Sequence, residues 1–405
     1  MKKVNNFVLF FGKFFLILLL LAGIFVYAMF QGGFVSWFLL FSFLPFVCYS
    51  LILAIYPIRF FEVERTINQS QFIAGEKLTG TITIRRKYPL PLLYILIEET
   101  LPASLLNAIQ SKRSKIIVFS WFKRSYSYEY IIESIPRGEF KLSNIRVKTG
   151  DFLGLIEKER NYIAEHSILV YPKCIDMIYS QGENQFEQGM TSSRLKVHRE
   201  TAVTTGVREY RNGDRFSWID WKSTARKNTI MTKEFEQQQS NDIVVFFDRS
   251  RSVAFEHSVT FAASVTNAIL QRGSQIGFIS IGKENVEIPL GSGGIQKQQI
   301  QHHLARVKAE EEVAFTAQLE SEIAKYHRSV SIMLISTHLN EEMMQFMKRM
   351  ALSNASIIFN LVKDNDAKPS TEELQLIESI EKNRILPKII YGERFTDVFN
   401  EVGRP

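Results

Sequence analysis

One short segment beyond the middle of the chain combines residue types that could bind a cation. Asp248, Ser250 and Ser252 occupy alternate positions directly after the strand-like run at residues 242–247. A carboxylate and two hydroxyls are hard oxygen ligands of the kind that Mg²⁺ prefers. Ligands of open α/β sheets bind beyond the carboxyl ends of the strands, so the position suits a site. The spacing therefore indicates a candidate Mg²⁺ site.

A second cluster of reactive residue types lies at residues 206–226, where five basic residues and two tryptophans occur together. Tryptophans are costly to expose, and charges are costly to bury unless they are paired. We therefore predict a packed network of ion pairs and aromatic rings around Trp218 and Trp221. The sequence leaves open whether this network recognises an anionic ligand or only joins two domains. Neighbouring arginines should keep Asp214 and Asp220 ionised, which suits pairing better than acid–base catalysis.

The elements after residue 241 alternate between strand and helix. Apolar runs at 242–247, 275–281, 331–336, 356–362 and 385–391 predict strands, and most are separated by segments with helical spacing of apolar residues. Residues 286–290 predict a further strand that pairs with 275–281. This pattern predicts a doubly wound, largely parallel α/β domain at residues 241–405.

The region between residues 59 and 165 alternates apolar and polar side chains in short runs, punctuated by Gly and Pro. Such alternation predicts a β-sandwich-like domain. Residues 166–240 form a linking segment that carries the cluster described above. Its polar stretch at residues 180–193 is predicted to be a mobile loop.

Residues 1–58 predict a membrane anchor, because two apolar runs at about 14–30 and 34–56 approach the length of a membrane-spanning helix. A cleaved signal peptide is the alternative, but a second apolar run begins after three residues and no cleavage pattern follows the first. Lys2, Lys3 and Lys13 precede the first run, and Arg59 and Arg65 follow the second. The rule that positive flanks face the cytoplasm places both termini and the soluble domains there, as a multi-pass protein of the cell membrane.

The charge distribution argues against a nucleic-acid partner. The chain has a formal net charge of +7, of which residues 59–160 contribute +6 and residues 241–405 contribute −3. The basic β-rich region next to the anchor leaves a membrane-lipid interaction open as an alternative to ordinary solvated strand faces. Cys48 and Cys174, the chain's two cysteines, are predicted to form no disulfide, as in a reducing compartment.

The Asp248 loop resembles the metal-ion-dependent adhesion site of von Willebrand factor A-like domains. That resemblance implies a further ligand, for which Thr316 is the matching threonine, and an aspartate after the fourth strand. The aspartate is missing, because Ser336-Thr337-His338 occupies the place of a Thr-Asp-Gly motif. The predicted metal site of Asp248, Ser250, Ser252 and Thr316 is therefore degenerate, with Mg²⁺ as the expected ion.

The whole chain resembles the bacterial domain of unknown function 58 family. The resemblance depends most on a motif shared with the family, formed by Arg208, Tyr210, Gly213, Asp214, Asp220, Trp221, Lys222 and Arg226. It implies a membrane hairpin, a β-rich region and a von Willebrand factor A-like end. It also implies a chaperone-like role in assembly or remodelling together with a MoxR-type AAA+ ATPase.

These features favour a non-enzymatic, membrane-tethered protein that binds protein partners, with no catalytic residue and no cofactor other than Mg²⁺. The alternative is a metal-dependent hydrolase that uses Asp248, Ser250, Thr316 and the Asp214/Asp220 cluster. Metal-dependent turnover would discriminate between the two, because fold resemblance alone supplies no reaction.

Overall fold

The computed structural model describes most of the chain. The described residues are 2–102, 105, 115–152, 154, 156–177, 202–211, 214, 216–237, 242–311, 313–326, 330–352, 357–365, 367, 369–381, 385, 387–393 and 395. The predicted mobile loop at 180–193 lies outside them. The chain divides into two compact units, residues 1–173 with 304–306, and residues 174–303 with 307–405. The predicted domain limits at 58, 165 and 240 stay predictions.

The first unit begins with two apolar helices, as the sequence predicts. They are α1 (Lys2–Gln31) and α2 (Phe34–Ile55), joined at Gly32, whose φ of +62° suits glycine. Residues 14–31 and α2 each have a mean hydropathy of 2.4. Both helices are therefore long and apolar enough to cross a membrane.

Two β-sheets follow in the first unit. Their strands are β1 (Phe61–Ile67), β2 (Gln71–Ile73), β3 (Leu78–Arg86), β4 (Ile95–Glu99), β5 (Lys115–Val118), β6 (Ser125–Ile132), β7 (Gly138–Gly150) and β8 (Glu157–Tyr171). One sheet has the order β1-β3-β6 and the other β2-β8-β7-β4-β5. Buried side chains alternate along β3 and β4, as the period of a strand requires. The two sheets share one hydrophobic core, which also takes in Val47 and Leu53 of α2.

The second unit contains a two-stranded antiparallel sheet, formed by β9 (Ala202–Glu209) and β10 (Met231–Gln237). A short helix, α3 (Trp221–Lys227), lies between the two strands in sequence. It ends at Asn228, whose φ of +54° gives a left-handed cap. The family motif at 206–226 is therefore held by one strand, one helix and the segment between them.

A six-stranded sheet dominates the second unit. Its strands are β11 (Ile243–Asp248), β12 (Ile276–Ile281), β13 (Val286–Gly291), β14 (Ser331–Ser336), β15 (Ile357–Lys363) and β16 (Pro387–Tyr391). The order is β13-β12-β11-β14-β15-β16, and every pair is parallel except β12 with β13. The predicted largely parallel sheet is confirmed, including the antiparallel partner of β12.

Five helices accompany this sheet among the described residues. They are α4 (Phe255–Gln271), α5 (Gly293–Arg306), α6 (Phe315–Ile323), α7 (Glu341–Leu352) and α8 (Thr371–Glu381). Val244 and Phe246 of β11 share a core with α6, α7 and α8, whereas Phe247 of β11 packs against Phe255 of α4. Because successive side chains of a strand point to opposite faces, the sheet has helices on both sides.

Candidate functional site

The candidate site lies where the strand order of the six-stranded sheet reverses. From β11 the order runs towards β12 and β13 on one side, and from β14 towards β15 and β16 on the other. Asp248 is the last residue of β11, and Ser336 is the last residue of the neighbouring parallel strand β14. A crevice at the carboxyl ends of such strands is the usual ligand-binding position of open α/β sheets.

Hydrogen bonds hold the Asp248 carboxylate at this edge. Oδ1 accepts from the backbone N–H of Ser250 at 2.9 Å and from its hydroxyl at 2.6 Å. Oδ2 accepts from the hydroxyl of Ser336 at 2.6 Å. The residue is 3% exposed, so these donors satisfy a carboxylate that is almost fully buried.

A cavity of about 240 Å³ opens beside Asp248. Its polar lining residues come from the ends of β11 and β14, the start of α6 and the start of α7: Asp248, Ser250, Thr316, Ser336, His338, Asn340 and Glu342. The volume is below the range of about 300–1,000 Å³ that is typical of small-molecule sites. A cavity of this size suits an ion with its waters.

The structure brings together three of the four predicted metal ligands. Asp248, Ser250 and Thr316 line the cavity. The hydroxyl of Ser252 instead accepts a hydrogen bond from the backbone N–H of Ala254 at 3.2 Å. Ser252 thus helps to shape the turn into α4.

Two arginines next to the site are paired with glutamates. Arg249 forms an ion pair with Glu310, and Arg251 forms one with Glu311. The backbone N–H of Glu310 also donates to the carbonyl of Arg249 at 2.8 Å. The positive charge that the sequence places beside Asp248 is therefore largely compensated, and Glu310 is a positioning residue that the sequence analysis missed.

A second carboxylate at the cavity, Glu342, was also missed by the sequence analysis. It lies in the first turn of α7, where Asn340 caps the helix by accepting from the N–H of Met343 at 2.9 Å. The sequence signal is an Asn followed by two acids at a helix start, which identifies the helix terminus but not the cavity. The helix start is an electrostatically favourable place for an anionic side chain.

The donor chemistry of the lining fits a hard cation. The lining offers two carboxylates and three hydroxyls as oxygen ligands, from Asp248, Glu342, Ser250, Thr316 and Ser336. Within the described residues, no group of three His, Cys, Asp or Glu side chains is placed to hold a metal ion. Any cation here would thus depend on hydroxyl and water oxygens as well as on the carboxylates.

The family motif forms a separate, smaller arrangement around Arg208. The guanidinium of Arg208 donates to both carboxylate oxygens of Asp214, at 2.8 Å each. The backbone N–H of Arg211 adds a third bond at 3.0 Å. Because the bonds from Arg208, and then the one from Arg211, favour the charged form, they lower the pKa of Asp214.

Asp220 has a different role from the one predicted. Its carboxylate accepts from the backbone N–H of Ser223 at 3.0 Å and caps the start of α3. This backbone hydrogen bond is the largest cause of its lowered pKa. The expectation that Asp220 stays ionised is supported, but helix capping rather than a neighbouring arginine is the reason.

The prediction that both tryptophans of the motif are packed is wrong for Trp221. Trp221 is 71% exposed on α3, and Phe216 is 77% exposed. Tyr210 stacks on Phe216, with ring centroids 6.2 Å apart. Lys222 and Arg226 are exposed on α3 as well. α3 is only two turns long, and none of its residues is buried.

Two further sequence predictions concern Gly213 and the cysteines. Gly213 lies outside the described residues. Cys48 and Cys174 are both free thiols, as predicted. Burial raises the pKa of the Cys174 thiol, which disfavours the nucleophilic thiolate form.

Comparisons with known proteins agree with the motif. Residues 206–385 match the family described as "Protein of unknown function DUF58". The chain is 36% identical to the uncharacterized protein YeaD of Bacillus subtilis (strain 168), over 98% of this chain and 100% of that protein.

Solved structures show only distant likeness. Proximal thread matrix protein 1 from the mussel byssus aligns with 40% of this chain and 44% of its own, at 12% identity and a TM-score of 0.28. The CARDB domain of a Pyrococcus furiosus protein aligns with 27% of this chain and 91% of its own, at 12% identity and a TM-score of 0.20. These scores are too low to support an inference about fold or function.

Proposed function

Since the chain belongs to DUF58, a family of unknown function, we propose that it is a membrane-anchored protein that binds protein partners through the Asp248 cavity. The observation that carries the proposal is the cavity itself, at the point where strand order reverses, with a buried carboxylate and three hydroxyls in its lining. In this view the second unit is a von Willebrand factor A-like domain, and the two sheets of the first unit form a β-sandwich.

The proposed membrane anchor is the pair α1 and α2. Their length and hydropathy support two crossings. Lys2 and Lys3 at the start of α1 and Arg59 after α2 support an orientation with both termini and the folded units in the cytoplasm. The loop between the helices carries no charge, which agrees with translocation to the other side.

The proposed binding mode uses Mg²⁺ held by Asp248, Ser250 and Thr316, with Glu342 as an added carboxylate. The ion would supply an open coordination position for a carboxylate of the partner. The lining offers only two carboxylates, Asp248 and Glu342, which is little charge for a tight Mg²⁺ site. Asp248 also uses lone pairs to accept the bonds from Ser250 and Ser336. A partner carboxylate would supply the missing charge, so metal and partner should bind together.

The proposed partner is a MoxR-type AAA+ ATPase, and the role is assembly or remodelling of other proteins. A second patch could contribute to this contact, namely Phe216 and Trp221 with Lys222 and Arg226. Its exposed aromatic rings next to cations have the composition of a protein-binding hot spot. The Arg208–Asp214 pair next to it would hold the segment in a fixed conformation.

The test is recovery of partners from native membranes with the full chain, in Mg²⁺ and in EDTA. We expect a AAA+ ATPase to co-purify with the wild type in Mg²⁺. Asp248→Ala and EDTA should each reduce its recovery at least about tenfold, the effect of losing some 1.4 kcal/mol or more. Glu378→Ala, which removes an exposed carboxylate of α8, is the matched control and should have no effect.

Two results would contradict the proposal. Recovery of no protein under any condition would remove the binding role. Metal-dependent hydrolysis by the purified chain, abolished by Asp248→Ala, would establish the alternative of a hydrolase that uses the same cavity.

A further inference from the structure

We propose that the first unit touches the lipid bilayer with a ring of exposed aromatic side chains next to α2, and that the lipid it prefers is anionic. The ring, called the aromatic apron, consists of Phe60, Tyr88, Phe119, Trp121, Phe122 and Phe152. Each is between 46% and 72% exposed. The inference rests on the membrane anchor proposed above. Its test distinguishes a failure of the lipid contact from a failure of the anchor.

The loop between β3 and β4 is fixed to the end of α2. The backbone N–H of Leu93 donates to the hydroxyl of Tyr49 at 3.1 Å, and the hydroxyl of Tyr56 donates to the carbonyl of Tyr88 at 2.7 Å. The ring of Tyr88 lies 6.4 Å from that of Phe60. Because Tyr49 and Tyr56 bracket the last turns of α2, this loop lies at the level where α2 would leave the hydrocarbon core.

The loop between β5 and β6 is fixed to the first loop by a buried arginine. Arg86 donates to the carbonyl of Leu90 at 2.9 Å, to that of Trp121 at 3.1 Å, and to that of Lys123 at 3.1 Å. Trp121 also pairs with Leu92 through a backbone bridge. The backbone around Trp121 is therefore held beside the first loop, which is itself fixed to the end of α2.

The turn after β7 reaches α2 from another direction. The hydroxyl of Ser50 in α2 donates to Asp151 at 2.6 Å. The ring of the adjacent Phe152 lies 5.8 Å from that of Phe46 in α2. Phe46 precedes Ser50 by one helical turn, so Phe152 contacts α2 at a level that is already within the apolar span.

The charges of the first two loops and of the segment directly after α2 match an anionic surface. Arg59, Lys87, Lys123 and Arg124 are all exposed. The sequence has no Asp or Glu from Ile84 to Ile97 or from Ser114 to Tyr128. Aromatic rings at the hydrocarbon boundary with cations at the headgroups are the composition of a membrane interface.

The backbone of Trp121 adds an independent observation. Its φ of +39° lies in the left-handed region, which a bulky residue adopts only at a cost in energy. Glycine would fit this position without strain. A tryptophan kept there with 67% of its surface exposed is unfavourable for the isolated fold, and a lipid contact would give that ring an apolar environment.

The test uses the full chain in bilayers of phosphatidylcholine and phosphatidylglycerol, with one tryptophan retained and the other three changed to Phe. Trp121 reports the apron, and Trp37 in α2 reports the anchor. We expect nitroxide groups near the headgroups to quench Trp121 at least about twofold and acrylamide in the water to quench it weakly. Trp37 lies in the first turn of α2, at the end opposite Tyr56, and should be quenched by nitroxides in the opposite leaflet.

The outcomes distinguish the inference from the anchor. In one outcome, acrylamide quenches Trp121 and lipid nitroxides do not, whereas lipid nitroxides do quench Trp37. That result would contradict the lipid contact of the aromatic apron but would support the membrane anchor. Protection of Trp121 from both quenchers would show that protein covers the surface and would also overturn it. Absence of lipid quenching at Trp37 would overturn the anchor and the apron together.

Charge reversal tests the preference for anionic lipid. We expect Lys123→Glu to reduce the quenching of Trp121 by lipid nitroxides about twofold in anionic bilayers. In neutral bilayers the same substitution should change this quenching little. Lys141→Glu is the matched control, because Lys141 is exposed on β7 ten residues before Asp151, about 30 Å along a strand. Equal effects of the two reversals, or none in either lipid, would contradict the preference.

Discussion

Asp151 and Asp248 have nearly the same hydrogen bonds but different surroundings. Each is almost fully buried, and each accepts a 2.6 Å bond from a serine that is distant in sequence, Ser50 and Ser336 respectively. Asp151 lies directly after β7, and its bond to Ser50 joins this turn to α2. Its Oδ1 accepts a hydrogen bond from the backbone N–H of Ile156 at 3.1 Å. Asp248 instead lines a cavity of about 240 Å³.

The difference teaches how a carboxylate that only stabilises the fold can be told from one that we propose binds a partner. Loss of Asp151 would leave a hydroxyl and an N–H without partners, in a place packed by the turn and α2. Loss of Asp248 would leave its donors facing a cavity in which water can replace it. Removing the first should therefore cost mainly stability, and removing the second mainly binding.

The largest effect on stability is expected for Asp151→Ala. The loss of two hydrogen bonds to a buried charge should destabilise the chain by about 3 kcal/mol. Thermal unfolding in detergent micelles would measure it, with Asp151→Asn as a control that keeps the acceptor atom and should lose less. An unchanged melting temperature for Asp151→Ala would mean that Asp151 does not link the turn to α2.

A smaller loss of stability is expected for Asp248→Ala. Because the donors of Ser250 and Ser336 can turn to water, the cost should be about 1 kcal/mol. The same unfolding experiment gives the comparison directly. A cost equal to that of Asp151→Ala would show that Asp248 is equally structural, and the contrast between the two sites would be lost.

The serine partners should repeat the contrast on a smaller scale. Ser50→Ala leaves Asp151 with one donor in a closed environment, and should cost about 1.5 kcal/mol. Ser336→Ala leaves Asp248 both donors of Ser250 and access to water, and should cost less than about 1 kcal/mol. Melting temperatures of the two variants, measured side by side, would check the order. The reverse order would contradict the assignment of roles.

The smallest effect is expected at the half-buried pair of Arg208 and Asp214, where the pH dependence is informative. Hydrogen bonds from Arg208 lower the pKa of Asp214 below its ordinary 3.8. Because the pKa of Asp214 is lower in the folded chain than in the unfolded chain, the ion pair stabilises the fold at pH values above the unfolded-state pKa. This stabilisation is lost as the pH falls through the folded-state pKa. Arg208→Met should therefore melt slightly lower than the wild type at neutral pH, and the difference should disappear in acid. A difference independent of pH would exclude the ion pair as its cause.

The sequence predicts the strand, loop and helix that form the site better than it predicts which residues lie around Asp248. The continuous apolar run before Asp248 and the hydroxyls after it identify a strand and its ligand-type loop, and Thr316 opens a helix as expected. Glu310 and Glu342 could not be assigned, because their proximity to Asp248 depends on the order in which the strands associate. Residues 310 and 342 lie in separate segments that no local pattern connects.

The same limit explains the other differences. Ser50 and Asp151 are 101 residues apart, so neither the apolar run of α2 nor the strand pattern of β7 indicates their contact. The capping role of Asp220 could be predicted from the sequence, since an Asp directly before a helix is a capping signal. The exposure of Trp221 could not be predicted, because burial is decided by what packs on α3 and not by residue type alone.

The most direct measurement is the amount of partner protein recovered per mole of folded Asp248→Ala chain, relative to the wild type, from the same membranes in Mg²⁺. We predict that the variant stays folded in the membrane and retains about a tenth of the partner or less. Equal recovery from folded variant and wild type would contradict the proposal that the Asp248 cavity is the binding site.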